Sequence, residues 1–268
     1  MADDYKPVLR AGSDPLVFFK YPGAGTGGDV AKGHVMAAAM SRMLGDGEVV
    51  VMGTNSMIPL AAARLAQLTH APNLTTLVGA SGGINTLVEP LAPSSGDYAN
   101  IIAEAVLEFD EVMMLQMGGK TDVFFAGGIQ IDRHGNCNLA AVGELSKPQL
   151  RGPGSAGLPW AQKSGRTIIY TTTHDKRTFV PEVDFVSLRG GDKGAFVVSP
   201  LCVMQTAPGG SMRLVSTHGG VTVDDIVANT GFELSIPQGG VPSTADPTPD
   251  EFAHLRELDP DGLLAIVV

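Results

Sequence analysis

Short apolar runs alternate with segments of helical length along most of this chain. The run EVVVMG at 48–53 and the run from Leu74 to Val78 are apolar without the alternation expected of a half-exposed strand. Continuous runs of this kind are typical of strands that are buried on both faces. The sequence predicts strands at 48–53, 74–78, 123–126, 167–172, 183–187 and 195–203.

The segments between these strands carry apolar residues at helical spacing. Helices are predicted at 30–44, where Gly45 and Gly47 end the pattern, and then at 58–68, near 98–108 and from Asp224. A last helix follows Thr248, with Glu251 three residues later as the second half of a capping box. Alternating buried strands and helices predict an α/β fold: an open, mostly parallel sheet with helices on both faces.

Three glycine-rich breaks fall at the ends of predicted strands, at 53–56, 79–83 and 127–128. In open α/β sheets, ligands bind where loops leave the carboxyl ends of the strands. Glycine also allows backbone N–H groups to approach a bound anion or carbonyl oxygen closely. These breaks are therefore the first candidates for a binding site.

Composition narrows the possible functions. The 268 residues are 44% hydrophobic and 17% charged, and the net charge of −10 without a Lys/Arg cluster argues against nucleic-acid binding. No apolar run is long enough for a membrane span. Cys137 and Cys202 are the only cysteines, which suits a reducing cytoplasm. We expect a glycine- and proline-rich N-terminal arm at 1–28 and one α/β domain at 29–268.

Familiar catalytic signatures are missing from the sequence. The six histidines have no HxH or HxxxH pairing, so no metal site is expected. Cys137, between two asparagines, is interpreted as a small buried thiol and not as a nucleophile. The run 151–157, RGPGSAG, sets one arginine beside several glycines and offers N–H donors next to a cation. Composition alone is equally compatible with a flexible surface loop there.

Several separate motifs occur in one order along the chain. They are LAQLTHAPNL at 65–74, GGIQIDRHGNCN at 127–138, KPQLRGPGSAG at 147–157, HDKRTFVPEVDFVS at 174–187 and VTVDDIVANTGFEL at 221–234. Together they resemble the β-type subunit of class I CoA-transferases, closest in pattern to glutaconate CoA-transferase. The resemblance implies an acyl-CoA substrate, with coenzyme A as part of the substrate and no bound cofactor. It also implies an α-type partner in an α2β2 assembly, with the active site at the junction of the subunits.

One residue of the family pattern is absent. In the transferases, the strand after the APNL turn ends in a Glu-Ser-Gly-type motif whose glutamate attacks the thioester and carries the CoA. Here the same place reads LVGASG at 77–82, and the match falls on Gly79, or on Ala80 with one inserted residue. Covalent catalysis needs its nucleophile. Ser81 has no nearby base in sequence, and Glu89 lies about ten residues further along.

The missing glutamate resembles the pattern of the ring-opening CoA-thioester hydrolases of steroid degradation, in which the partner subunit carries the working carboxylate. We therefore expect non-transferase, catabolic chemistry, either C–C bond hydrolysis or decarboxylation. The alternatives are a true acyl-CoA:carboxylate CoA-transferase subunit and a non-catalytic subunit that completes the partner's site. The place of the catalytic residue is Gly79, Ala80 and Ser81. The expected substrate-binding residues are Asn55, Gly127, Gly128, Arg151, Gly154, Ser155, Ala156 and Gly157.

Overall fold

The computed structural model describes residues 30–190, 194–207 and 209–267, so the arm predicted at 1–28 lies outside the described residues. The strands are β1 Val49–Met52, β2 Thr75–Val78, β3 Gly83–Thr86, β4 Ala103–Val106, β5 Val123–Gly127, β6 Gln130–Ile131, β7 Cys137–Asn138, β8 Ala141–Val142, β9 Leu150–Arg151, β10 Arg166–Tyr170, β11 Ala195–Val198, β12 Cys202–Thr206 and β13 Met212–Thr217. The helices are α1 Lys32–Ser41, α2 Met57–Thr69, α3 Phe109–Met117, α4 Val223–Asn229 and α5 Pro249–Leu258, with 3-10 turns at Tyr98–Ile101, Leu158–Lys163 and Leu263–Ile266.

A nine-stranded sheet forms the centre of the molecule, in the order β13-β12-β11-β10-β5-β1-β2-β3-β4. The five strands from β11 to β2 are parallel, and antiparallel pairs extend the sheet at both edges. The parallel strands are the apolar runs of the sequence, because both of their faces are covered. The predicted α/β class with a mostly parallel central sheet is confirmed.

Two apolar layers cover the sheet. On one face, α1, α2 and α5 pack over side chains such as Met52 and Phe125. On the other face, α3, α4, the 3-10 turn at Leu158–Lys163 and the ribbon β6–β7 pack over neighbours such as Val51 and Phe124. Within the described ranges, no helix is both long enough and apolar enough to cross a lipid bilayer.

The last helix begins as the sequence predicts. Thr248 Oγ1 accepts a hydrogen bond from the Glu251 N–H at 3.2 Å, and Glu251 Oε2 accepts one from the Thr248 N–H at 2.7 Å. The Glu251 carboxylate also pairs with Arg42 at 2.5 Å, directly after α1. The capping box therefore fixes α5 against α1 as well as starting the helix.

Three predicted elements are wrong. The helix near 98–108 is instead a 3-10 turn followed by β4, because pairing with β3 overrides the helical propensity of Ala103–Val106. The strand predicted at 195–203 is a hairpin of β11 and β12, turned at Ser199, whose Oγ accepts from the Cys202 N–H at 3.3 Å. Residues 183–187 form no strand: the Asp184 N–H donates to the Gln130 side chain at 3.1 Å instead of to a sheet.

Candidate active site

The three glycine-rich breaks lie side by side at the carboxyl ends of the parallel strands. They follow β2, β1 and β5, which are neighbouring parallel strands. Met52 at the end of β1 lies in register with Val78 of β2 and Phe125 of β5, so the three strands end at nearly the same level. The loops 53–56, 79–83 and 127–128 therefore lie next to one another, and together they are called the strand-end site below.

Gly79, which with Ala80 is a predicted place of the family's glutamate, is tightly enclosed. Its N–H donates to the Met52 carbonyl oxygen at 2.8 Å, and the residue is buried. A Cβ on Gly79 would lie 2.9 Å from that same carbonyl oxygen. Because the obstructing atom belongs to the backbone of β1, a side chain at this position would require the strand to shift.

Ala80 and Ser81 complete the turn after β2 but provide no activated nucleophile. Ala80 is exposed and Ser81 is half-buried. Ser81 Oγ lies 3.5 Å from both the Val78 carbonyl oxygen and the Gly83 nitrogen, which are distant contacts. Glu89 forms an ion pair with Arg64 at 2.5 Å and makes no contact with Ser81. The serine thus lacks the adjacent base that activates such a nucleophile.

Tyr170, at the end of β10, was missed by the sequence analysis. Its hydroxyl lies 3.2 Å from the Asn55 carbonyl oxygen and 3.0 Å from Ser56 Oγ. The same oxygen lies 3.5 Å from where a Cβ of Gly127 would stand. Asn55 is held at φ 62°, in the left-handed region that asparagine tolerates better than most residues. Tyr170 therefore joins the ends of β1, β5 and β10, and nothing in its local sequence marked it as a site residue.

A second loop covers the ends of β1 and β2. Ser95 Oγ donates to the Gly53 carbonyl oxygen at 2.6 Å and accepts from the Ser56 N–H at 2.7 Å. A Cβ on Gly96 would lie 3.7 Å from the Ala80 Cβ. No local pattern indicated this loop, because its contacts depend on chain segments some 40 residues away in sequence.

Gly128 lies against Cys137 of β7. A Cβ on Gly128 would stand 2.5 Å from Cys137 Sγ, and that thiol donates to the Gly127 carbonyl oxygen at 3.2 Å. Burial, with a smaller contribution from Asp132, raises the pKa of Cys137 to about 12. A thiol with this pKa stays protonated at neutral pH, so the geometry agrees with the predicted buried cysteine and not with a nucleophile.

The run 151–157 contacts residues 139–140, which directly follow β7, the strand that lies against Gly128. The N–H groups of Gly152 and Gly154 donate to the carbonyl oxygens of Ala140 and Leu139, at 2.8 and 3.2 Å. Ser155 Oγ lies 2.8 Å from the Ser187 hydroxyl. These hydrogen bonds hold the run against the ribbon β6–β7 and the segment that follows it, behind the β5 break.

Two glycines of this run adopt backbone conformations that L-residues rarely reach. Gly154 has φ 106° and Gly157 has φ 81°. Between them Ala156 is exposed, and Gly157 is buried below it. These conformations turn the chain sharply and present the backbone of Ala156 to the outside. Only the structure shows which glycines of the run have positive φ, and their role in substrate binding stays a prediction.

Arg151 does not join the strand-end residues. It lies on β9, paired with Ala141, and its side chain is exposed. No hydrogen bond or ion pair connects its guanidinium to another residue in the part of the chain that the structure describes. In the same part of the chain, no group of three or more His, Cys, Asp or Glu side chains is arranged to hold a metal ion.

Comparison with known proteins shows to which family this chain belongs. The coenzyme A transferase family model matches residues 34–229. The chain belongs to the coenzyme A transferase family. It is 33% identical to the B-type subunit of 3-oxoadipate CoA-transferase from Pseudomonas knackmussii, over 84% of this chain and 92% of the relative. It is 32% identical to the cholesterol ring-cleaving hydrolase IpdB subunit of Rhodococcus jostii, over 88% of this chain and 95% of the relative.

A solved structure extends the comparison. The decarboxylase AibA/AibB shows a TM-score of 0.83 at 27% identity, covering 90% of this chain and 99% of the matched one. This CoA-transferase-family chain is thus a β-type subunit, as the sequence motifs predicted. Relatives of the chain bear the names of a transferase, a hydrolase and a decarboxylase, and they include subunits of two-subunit enzymes. The question for the site is which of these chemistries its residues permit.

Proposed function

We propose that this chain is the β-type subunit of a two-subunit enzyme that cleaves a C–C bond of an acyl-CoA, by hydrolysis or decarboxylation, without transferring the CoA. The observation that carries the proposal is the contact between Gly79 and Met52. Neither Gly79 nor Ala80 carries a carboxylate at the predicted place of the family's nucleophile, and a Cβ on Gly79 would lie 2.9 Å from the Met52 carbonyl oxygen, so that a side chain there would require the backbone to shift. The likeness to a ring-cleaving hydrolase subunit and to a decarboxylase supports the same choice.

Both reactions place negative charge on the same atom. In hydrolysis, water adds to a β-keto carbonyl and the C–C bond breaks, which leaves an enolate on the thioester. In decarboxylation, a carboxylate of the acyl group departs as CO2, and the electron pair of the broken C–C bond delocalises into the thioester as an equivalent enolate. A site for either reaction has to stabilise the developing charge on the thioester oxygen, and each well-placed hydrogen-bond donor contributes on the order of 3 kcal/mol.

The backbone of the strand-end site supplies candidate donors. Among the residues that the structure describes, none accepts a hydrogen bond from the N–H groups of Ala80 or Gly128. These two residues follow β2 and β5, on either side of β1. We assign them as the donors that face the thioester oxygen. Asn55 and the turn from Gly154 to Gly157 would border the acyl-CoA, and exposed Arg151 would meet its phosphates.

The general acid–base group belongs, in this proposal, to the α-type partner. The nearby carboxylate of Glu89 is engaged with Arg64. The partner would bring a carboxylate to the open side of Ala80 in an α2β2 enzyme. We place this enzyme in the cytoplasm, since both cysteines are free and buried.

A CoA-transferase is the second candidate, favoured by the 33% identity to a chain of 3-oxoadipate CoA-transferase. One experiment separates the candidates. The chain is co-expressed with the α-type family member from the same source, and the complex is assayed with β-keto acyl-CoAs and with acyl-CoAs that carry a carboxylate on the acyl group, with and without an acceptor acid. The proposal expects release of free carboxylic acid or CO2 without an acceptor. Turnover that requires the acceptor and yields a new acyl-CoA would establish the transferase instead. Turnover that survives Gly128→Val and Ala156→Glu but not partner variants would indicate a non-catalytic subunit.

A further inference from the structure

A buried side-chain amide lies against the turn at 154–157. Gln116, in the last turn of α3, is only 2% exposed. Its side-chain oxygen, Oε1, is buried and accepts no hydrogen bond from the residues that the structure describes. Val112, one turn earlier on the same face of α3, is buried and apolar. An unpaired buried acceptor destabilises a fold, and nearly all such groups have a partner. Packing alone therefore does not explain a glutamine at this position.

A backbone donor without a partner lies beside this oxygen. A Cβ on Gly157 would lie 3.9 Å from Gln116 Oε1, and Gly157 is itself buried. No described residue accepts a hydrogen bond from the Gly157 N–H, whereas the next N–H, that of Leu158, donates to the Ser155 carbonyl oxygen at 3.1 Å. An unpaired acceptor and an unpaired donor thus lie side by side.

These two groups together are complementary to a secondary amide. A ligand amide donates through its N–H to Gln116 Oε1 and accepts at its carbonyl oxygen from the Gly157 N–H. A carboxylate or a phosphate offers no donor to the glutamine oxygen, and an alkyl chain offers neither group. In the coenzyme portion of an acyl-CoA, secondary amides occur only in the pantetheine arm, which has two of them between the thioester and the phosphates.

The turn also lies on the route that this arm would take. Residues 139–140 hold the turn, and they follow β7, which lies against Gly128 of the strand-end site. Arg151, assigned above to the phosphates, precedes the turn on β9. A substrate that reaches from Gly128 to Arg151 passes its pantetheine arm along the turn. Apart from the chain neighbours of Gly154, no described atom lies within 4 Å of where its Cβ would stand, so the turn has room to shift outward and admit the amide.

We propose that Gln116 Oε1 and the Gly157 N–H bind one secondary amide of the pantetheine arm. This inference rests on the proposed function, because it takes an acyl-CoA as the ligand. Gln116 is then a specificity residue: it favours thioesters of CoA and pantetheine over thioesters of simple thiols. A site built to hydrogen-bond a ligand group rejects an analogue without that group, because the buried partners stay unpaired.

The test combines one change in the protein with one change in the ligand, in the co-expressed complex. Gln116→Met preserves the length of the side chain and removes the acceptor. Gln162→Met is the matched control, since Gln162 is half-buried on the 3-10 turn that follows Gly157. The probes are S-propyl-CoA, a thioether, and two analogues of it, each with one pantetheine amide replaced by an ester. Calorimetric titration gives their dissociation constants without turnover.

The expected result is a coupling between Gln116 and one of the two amides. Gln116→Met should bind S-propyl-CoA about tenfold more weakly, and one ester analogue should bind the wild-type complex about tenfold more weakly. That analogue should bind Gln116→Met no more weakly than S-propyl-CoA does, because both changes remove the same hydrogen bond. Gln162→Met should change each constant less than about threefold. The melting temperature of Gln116→Met should equal or exceed that of the wild type, since no unpaired oxygen is buried. In turnover, KM should rise with kcat unchanged.

Other outcomes overturn the inference. If both ester analogues bind the wild-type complex as tightly as S-propyl-CoA, neither amide is recognised, whether or not the variant folds. Additive effects of the two changes, with a lowered melting temperature for Gln116→Met, would show a structural glutamine. The coupling with no cleavage of any acyl-CoA would support the amide site and refute the proposed function. Cleavage of an acyl-CoA without the coupling would do the reverse.

Discussion

A Cβ on Gly79 would stand 2.9 Å from the carbonyl oxygen of Met52, on the neighbouring strand. The chain has therefore not simply exchanged one side chain for another at the nucleophile position. The end of β2 is held so close to β1 that a glutamate there would have to displace backbone. In the proposed mechanism this contact disfavours covalent CoA transfer, and the strand-end N–H groups are the contribution of this chain to the chemistry.

The first prediction follows from that contact. Gly79→Ala should lower the free energy of unfolding by about 1–2 kcal/mol, because the obstructing atom is a backbone carbonyl. Ala80→Glu should change it by less than about 0.5 kcal/mol, since Ala80 is exposed. The Ala80→Glu complex should nevertheless lose at least about tenfold in turnover, because a carboxylate there opposes the developing oxyanion. Urea unfolding and a β-keto acyl-CoA assay measure the two effects. A Gly79→Glu variant with wild-type stability would contradict the steric argument.

The turn at 154–157 provides a second prediction. Valine at Gly154 or Gly157 would be strained by the positive φ, so loss of activity there would be confounded with loss of stability. Ala156 is exposed and avoids this difficulty. Ala156→Glu should reduce kcat/KM at least about 100-fold, by blocking the acyl-CoA, with an unchanged melting temperature. Leu145→Glu, at a side chain 52% exposed in the preceding loop, is the control and should retain activity. Equal activities of the two variants would remove 154–157 from the site.

Two buried histidines predict a dependence of stability on pH. His174 contacts Ser199 Oγ at 2.7 Å, and His218 contacts the Ser199 carbonyl oxygen at 2.8 Å. Burial lowers the pKa of each to about 4. The unfolded chain binds protons near pH 6.5, whereas the folded chain resists them until about pH 4. Stability should therefore be constant above pH 7 and should fall on acidification, by on the order of 2 kcal/mol per histidine at pH 4.5–5.

Urea titrations between pH 8 and pH 4.5 check this dependence. His218→Asn should make the decline shallower, because one of the two groups no longer takes up a proton on unfolding. His134→Asn, at an exposed turn, serves as the control and should leave the slope unchanged. A wild-type stability that rises on acidification would show that the histidines are charged in the folded protein.

The cysteines give a fourth prediction. Burial raises the pKa of both Cys137 and Cys202 to about 12, and both side chains are inaccessible. A thiol reagent at pH 8 should modify neither residue in the native complex and both after unfolding in urea. Turnover should survive the native treatment. Rapid modification of Cys137 with loss of activity would point to a thiol in the chemistry.

Local patterns predicted the parts of the fold that depend on short-range physics. The continuous apolar runs at Val49–Met52 and Val123–Gly127 predicted buried strands, and Thr248 with Glu251 predicted the cap of α5. The edge strand β4 could not be predicted in the same way, because Ala103, Glu104 and Ala105 also favour a helix. Its conformation is set by pairing with β3, which involves residues about 20 positions earlier.

The candidate site also combines features that local sequence patterns indicate with features that depend on long-range contacts. Glycine-rich breaks after apolar strands correctly located the loops near Asn55, Gly79 and Gly127 at one sheet edge. Tyr170 and Ser95 escaped notice because nothing in their local sequence marks them. They matter through contacts to residues some 115 and 42 positions away, which only the folded topology brings together.

Mass spectrometry of this subunit during turnover tests the central claim most directly. The co-expressed complex is incubated with an acyl-CoA and an acceptor acid, quenched with borohydride or hydroxylamine, and digested for peptide analysis. A transferase would form a glutamyl or aspartyl thioester of CoA, which these reagents convert into a reduced or hydroxamate side chain. The proposed mechanism predicts that every carboxylate of this chain remains unmodified while acyl-CoA is consumed. A trapped adduct on any carboxylate of this chain, formed at a rate that matches turnover, would contradict the account.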